Sequence, residues 1–242
     1  MPPLSLRIDP HVHSAASFDA TASIDAILRR ARAVGLDGVV VTDHDELDAS
    51  LEAAERAAEF GLVGIPGVEV STAVGHLLAL GVERRPELGL PLAETVRQIR
   101  TQGGVAVVPH PFQRSRHGIR KSDLGDVDGI EVYNGLAMTG YRNRCARLFA
   151  AQCGYPMIGG SDAHTPDLIG RTHTQVLVDT PADRPADVSP SAVLDGIKAG
   201  ATRIEGRRTP LSRYVRKHAW HAEYRTSMVL RAGVGALVAR LV

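Results

Sequence analysis

Cysteine, aromatic residues and long apolar runs are all scarce in this chain of 242 residues. Its two cysteines, Cys145 and Cys153, cannot build a disulfide framework; they fall within one helical pattern and read as reduced thiols. Aromatic residues make up only 4% of the chain, which leaves few rings to stack nucleobases and a core of Ala, Val, Leu and Ile. No uncharged apolar stretch reaches the roughly 18 residues that a membrane-spanning helix needs. The best candidate, Met228 to Val242, is broken by Arg231 and Arg240. Met1-Pro2-Pro3-Leu4 has neither a basic nor a long apolar leader character, and with the thiols this sets the expectation of a cytoplasmic protein. The net charge of +1 is too small to imply a polyanionic partner for the molecule as a whole. It is unevenly spread, however. Residues 1–202 hold 19 basic and 25 acidic side chains, residues 203–242 hold 9 and 2, so an acidic body carries a basic tail.

What is present is ordinary globular usage, 44% hydrophobic and 23% charged, which excludes disorder, at a length that suits one α/β barrel. Short apolar runs at Leu4–Ile8, Val39–Val41, Leu62–Val70, Leu77–Leu80, Val105–Val108, Ile130–Val132, Met157–Ile158 and Val176–Val178 read as strands buried on both faces. Between them lie helical stripes. Ile24, Ile27, Leu28, Ala31 and Val34 precede Gly35; Leu51, Ala54 and Ala58 precede Gly61; Leu92, Val96 and Ile99 lie between Pro91 and Gly103. Tyr141, Cys145, Leu148 and Phe149 precede Gly154, and Val193, Leu194 and Ile197 precede Gly200. Such alternation predicts parallel strands with covering helices, a doubly wound sheet or a barrel. Residues 180–190, with three prolines, read as a loop, and Thr209-Pro210 reads as the opening of a terminal helix.

Chemistry-bearing residues collect where these strands end. The runs are followed by Asp9-Pro10-His11-Val12-His13, by Thr42-Asp43-His44-Asp45, by Pro109-His110-Pro111 and by Ser161-Asp162-Ala163-His164, while Glu69 closes the third. In a parallel barrel all strand C-termini share one rim, so residues scattered along the chain converge. His-X-His on an extended segment aims both rings to one face, because side chains alternate with period two, and Asp162 and His164 repeat that geometry. Mixed imidazole and carboxylate donors suit Zn, Mn or Fe.

In this order, H-X-H, T-D-H-D, Gly-X-Glu, a lone downstream His, H-P and S-D-A-H resemble the polymerase and histidinol phosphatase (PHP) family of metallohydrolases, over about residues 6–178. Asp128 to Asn134 is similar to a segment often paired with that domain. The resemblance implies a distorted seven-stranded β/α barrel over residues 1–206, with a PHP-associated segment at about 126–180 and a basic helical extension over 207–242. It also implies a centre of two or three divalent ions. His11 and His13 would hold the first ion with Glu69 and Asp162; Glu69 would bridge to a second held by His76 and His110; Asp19, His44 and His164 would hold a third. Asp43 would orient an imidazole, and Tyr133-Asn134 would contact substrate or support the ligands. The chain has Ser17-Phe18-Asp19-Ala20 where the family usually has Ser-Asp-Gly.

Two ions sharing a carboxylate can hold a bridging hydroxide at neutral pH, and a third can neutralise phosphoryl oxygens. The full set therefore favours hydrolysis of a phosphomonoester or small phosphodiester, with Glu69, Asp162 and His117 as the catalytic side chains. Residues 113–121 follow the His110-Pro111 strand end with Arg114, Arg116, His117, Arg120 and Lys121; Arg114, Arg116, His117, Asn134 and Arg171 are the candidate phosphate contacts. The rivals are a nuclease acting on oligonucleotides through the basic tail, and a carbamate or amide hydrolase. The terminal helix is expected to mediate self-association or to lie on a membrane surface.

Overall fold

The computed structural model describes residues 3–210, and residues 3–208 belong to one compact unit. Nine strands and five α-helices occur among the described residues. The order is β1 (Leu4–Val12), α1 (Ile24–Ala33), β2 (Gly38–Val41), α2 (Asp48–Arg56), β3 (Gly67–Thr72), β4 (Gly75–Leu80) and α3 (Leu92–Thr101). Then follow β5 (Val105–Val108), β6 (Gly129–Asn134), α4 (Gly140–Cys153), β7 (Met157–Gly160), β8 (Thr172–Val178), α5 (Pro190–Lys198) and β9 (Thr202–Gly206).

The helices form for reasons visible locally. In α1, Ile24, Ile27, Leu28 and Ala31 are buried at helical spacing, the Ser23 hydroxyl accepts the Ala26 N–H, and Gly35 at φ 75° follows. Ser189 caps α5 in the same way, with Pro190 in its first turn. The turn directly after α2, Ala57–Phe60, tightens to 3-10 before Gly61 at φ 71°.

The fold is α/β, but its strands do not register as one uninterrupted ladder, and the distorted seven-stranded barrel is not confirmed by their pairing. They divide into a four-stranded sheet, β2-β1-β8-β9, and a five-stranded sheet, β3-β4-β5-β6-β7. β1–β2, β5–β6 and β6–β7 pair parallel, whereas β3–β4, β4–β5, β1–β8 and β8–β9 pair antiparallel. The reason is connection length: only Ala73 and Val74 separate β3 from β4, and two residues close a hairpin but never a parallel crossover. The strand expected over Leu62–Val70 is correspondingly shorter, with Val63 making only an isolated bridge to Gly38. β9 escaped the pattern because it is a half-exposed edge carrying Arg203 and Glu205.

The core shows why the runs were nearly continuous. Leu78, Leu80, Val105 and Val107 face the interior between the sheets with Leu6, Ile8, Val176 and Val178, while Leu77, Ala79, Ala106 and Val108 face outward onto Val96 and Ile99 of α3. Both faces of the central strands are covered, so both parities must be apolar.

Isolated parallel bridges join the two sheets, His44 to Glu69 beside the edge strands β2 and β3, and Val12 at the end of the interior strand β1 to Ala163 beyond β7. Apart from Thr209 and Pro210, which carry no helix, the expected terminal helix lies outside the described residues.

Candidate metal centre

The bridges between the sheets bring the ligand-type side chains together. Backbone bonds from His13 N–H to the Ala163 carbonyl (2.8 Å) and from Asp162 N–H to the His11 carbonyl (2.8 Å) lay the His11–His13 segment beside Asp162–His164. On the other side Glu69 N–H donates to the Asp43 carbonyl (3.1 Å) and Asp45 N–H to the Glu69 carbonyl (3.0 Å), which sets His44 next to Glu69. His76 enters from the β3–β4 hairpin, paired in register with Ser71. His110 and Asp162 turn sharply off their strands at φ 30° and 53°, a backbone region that costs a non-glycine residue about 1–3 kcal/mol and aims both side chains inward. Gly160 makes room: a Cβ there would lie 2.7 Å from His11 Cβ and 2.8 Å from the Glu131 carboxylate.

All nine expected ligand positions meet in one cluster. Four interlocking groups have donor atoms within 4.8 Å of one another: His13, Asp19, His44 and His164; His11, Glu69 and His110; His11, His13 and Asp162; His44, Glu69 and His76. Glu69 sits at the centre. One of its oxygens lies 2.9 Å from His76 Nδ1 and 2.9 Å from His110 Nε2, the other 3.3 Å from His44 Nδ1 and 3.4 Å from both His11 and His13 Nε2. Asp162 Oδ1 lies 3.4 Å from His164 Nδ1 and 3.6 Å from His13 Nε2, and Asp19 Oδ2 lies 2.8 Å from His164 Nε2. Most of the set is buried; only His44 and His76 are partly exposed.

The donor chemistry fits cations. His11 Nδ1 is 3.0 Å from the Glu131 carboxylate and His13 Nδ1 is 3.2 Å from Ser17 Oγ, so both rings are held from behind. Their Nε2 atoms then face each other at 3.2 Å. With the Nδ1–H donated to a carboxylate, the neutral form of His11 presents an Nε2 lone pair to the cluster, the arrangement that orients metal-binding imidazoles.

The supporting residues were only partly legible. Glu131, fully buried, also accepts the His110 backbone N–H (2.8 Å) and the Asn134 side-chain amide (2.8 Å). Asn134 donates to Asp162 as well (2.8 Å). Ser17 was not anticipated; its hydroxyl touches His13, donates to Asp43 (2.8 Å) and accepts the His44 N–H (3.1 Å). Asp43 therefore orients no imidazole directly: it anchors Ser14 and Ser17, and reaches His13 through Ser17. Asp9, also unanticipated, accepts the N–H groups of Ser161 and Gly170 (2.9 Å each) and ties β1 to the Asp162 loop. A buried carboxylate directly before His-X-His was the available signal.

The candidate phosphate contacts divide. The Arg116 guanidinium reaches the cluster, bonded to Asp162 Oδ2 and to Asn134 Oδ1 (3.0 Å). His117, exposed at φ 53°, stacks on His76 with ring centroids 5.0 Å apart, and its carbonyl accepts the His76 N–H at 2.9 Å. That close approach needs Gly75 (φ 142°), where a Cβ would lie 2.3 Å from the His117 carbonyl oxygen. Arg171 is not brought to the cluster; it donates to the Arg208 carbonyl (3.0 Å). The Arg114 side chain lies outside the described residues.

Electrostatics follow from this crowding. Burial would raise the carboxylate of Glu69, but His44 and His11 outweigh it and hold the group well below the usual range. For Asp162 burial is likewise outweighed, by Arg116 and then His11. Burial lowers His13, and neighbouring His164 adds to it, so its proton is lost well below the ordinary imidazole range. His11 goes the other way: Asp162, Glu131 and Glu69 outweigh burial and raise it well above that range. Rings two residues apart thus differ sharply in proton affinity.

Residues 9–143 match the PHP domain and residues 140–202 match the PHP-associated domain. The chain belongs to the PHP domain family. An uncharacterized protein of Methanocaldococcus jannaschii, MJ1587, is 31% identical over 153 residues, which cover 58% of this chain and 89% of that one. A two-domain protein from Bacteroides vulgatus containing a predicted PHP-like metal-dependent phosphoesterase superposes with a TM-score of 0.67 at 22% identity, over 85% of this chain and 66% of its own. PsfC of Pseudomonas syringae superposes with a TM-score of 0.64 at 21% identity, covering 93% and 99% of the two chains. No helix among the described residues is long and apolar enough to cross a membrane.

Proposed function

We propose that this chain is a metal-dependent phosphoesterase that hydrolyses a phosphomonoester or small phosphodiester at a centre of two or three divalent cations. The observation that carries the reading is the convergence of six imidazoles and three carboxylates into four interlocking donor groups. With no thiolate among them, the donors suit Zn, Mn or Fe. Bound there, such cations supply Lewis acidity and lower the pKa of water to near neutrality.

The chain's own residues do the rest. Glu69, facing five imidazoles, links the groups and spaces them. Asp19, His44 and His164, grouped with His13, form a corner of the cluster where a third positive charge would offset phosphoryl oxygens. Arg116 uses two of its five N–H donors on Asp162 and Asn134, which leaves others for a phosphate oxygen. His117, exposed beside His76, is the proton donor to the leaving group. A domain boundary near residue 206 belongs to this reading, with residues 207–242 as a separate extension.

Metal analysis of the purified chain, then assay of nitrophenyl phosphate, dinucleotides and aryl carbamates with Mn or Zn, tests the proposal. His11→Ala is expected to lose both bound metal and phosphate turnover while the circular dichroism spectrum persists. An unchanged rate in that variant refutes the assignment, and turnover confined to aryl carbamates selects the rival amide-type hydrolase.

A further inference from the structure

Among the five described α-helices, α4 alone carries no acidic residue, while Arg142, Arg144 and Arg147 lie exposed within two turns of it. None of the three forms an ion pair among the described residues. On other helices Arg29 pairs with Asp25 at 2.6 Å, Arg97 with Glu94 at 2.5 Å and Arg100 with Asp126 at 2.7 Å, although Arg30 and Arg32 of α1 form no ion pair among the described residues. Like charges at i, i+3 repel on a helix, so this face contributes nothing to folding that its charges would explain. Apolar groups are exposed on the same segment: Met138 is 57%, Tyr141 65% and Leu148 54% exposed. The Arg142 guanidinium stands 5.8 Å from the Tyr141 ring centroid.

The basic face extends at both ends. Lys121 Nζ lies 4.9 Å from the centroid of Phe149, in the last turns of α4, and Arg208 donates to the Met138 carbonyl (3.1 Å) just before the helix. On the inner side Asn143 grips Asn134 by two bonds, accepting its N–H (3.2 Å) and donating to its carbonyl (3.1 Å). The helix is therefore held in fixed relation to the strand end that contacts Asp162.

We propose that the exposed face of α4, flanked by Lys121 and Arg208, is a docking surface for a single-stranded nucleic acid. Unpaired arginines match the phosphates, and exposed Tyr141 and Met138 offer faces for unstacked bases. A lipid surface fits less well, because Tyr141 and Leu148 are interleaved with the arginines and form no separate apolar stripe. The inference goes beyond the phosphoesterase reading and does not rest on it.

The test is binding of a fluorescent oligothymidylate of about 12 nucleotides to the full chain in EDTA, read by anisotropy across a salt series. With about 0.7 counterions released per phosphate, three arginine contacts contribute a slope of about 2 in log K against log salt. R142E/R144E/R147E and the milder R142Q/R144Q/R147Q are both expected to lose that slope and at least tenfold in affinity, with melting curves that show folding intact. Tyr141→Ala is expected to weaken binding about tenfold at unchanged slope. Wild-type affinity and slope in the two triple variants would overturn the proposal. So would preferential binding to phosphatidylserine vesicles, or loss of self-association in place of oligonucleotide binding. Because the readout is binding without metal, failed hydrolysis leaves it standing, and absent binding leaves the phosphoesterase reading standing.

Discussion

Glu131→Gln changes one buried oxygen to an amide nitrogen at nearly constant shape. In the native cluster one carboxylate oxygen faces His11 Nδ1 at 3.0 Å, and the other accepts two N–H groups, from the His110 backbone and the Asn134 side chain, each at 2.8 Å. Glutamine satisfies at most one side. With its nitrogen toward His110 and Asn134, three donors meet with no acceptor, and each orphaned buried group costs about 1–3 kcal/mol. With its nitrogen toward His11, the ring must move its proton to Nε2, and the lone pair that faces His13 and Glu69 is lost. The second orientation leaves fewer donors opposed and is the expected one. Substituting such a supporting partner weakens metal binding by about 10–100-fold, or about 1.4–2.7 kcal/mol. Calorimetric titration of Zn or Mn into the metal-free variant measures this directly, and a melt in EDTA confirms that the apo fold survives. Wild-type affinity in Glu131→Gln would refute the idea that Glu131 sets the His11 tautomer.

Asp19→Ala is expected to lower phosphate turnover more than metal content, removing one ion per chain by elemental analysis; loss of all metal would argue against a separate third position. Asp9 is fully buried, and burial pushes its carboxyl from 3.8 up to about 6 against bonds from Ser161 and Gly170. A raised folded-state value means that the protonated form is favoured on folding, so this stabilisation is full below the unfolded pKa and is lost as pH rises through about 6. The loss is about 3 kcal/mol at 1.36 kcal/mol per unit. Urea melts in EDTA of wild type and Asp9→Asn are expected to show the wild-type margin shrinking by about 2.4 kcal/mol of that amount between about pH 4 and about pH 7; a margin that grows with pH sinks the reasoning.

Much of this molecule was legible in local pattern. A buried strand advertises itself by consecutive apolar residues, and a helix by its stripe and terminal glycine, so seven strands and all five helices stand where their periodicities placed them, and β3 overlaps the end of its expected run. Seven of the nine ligand-type residues were legible for a related reason: an imidazole or carboxylate at the end of a fully apolar run has no business there unless something polar holds it, whereas Asp19 and His76 were implied only by the family resemblance.

Pairing was not legible. A strand's own residues do not reveal which neighbour its N–H groups will meet, and the antiparallel β3–β4–β5 order, the division into two sheets and the edge β9 all depend on partners far away in sequence. The grouping of ligands has the same origin. His13 shares donors with Asp19, His44 and His164 as well as with His11 and Asp162, because the Val12–Ala163 and His44–Glu69 bridges bring those segments side by side. The support given by Glu131 and Ser17, and the commitment of Arg116 to Asp162, likewise rest on bonds spanning four to 120 residues. Composition and periodicity determined which side chains would face inward; only long-range backbone hydrogen bonding decided which of them would touch.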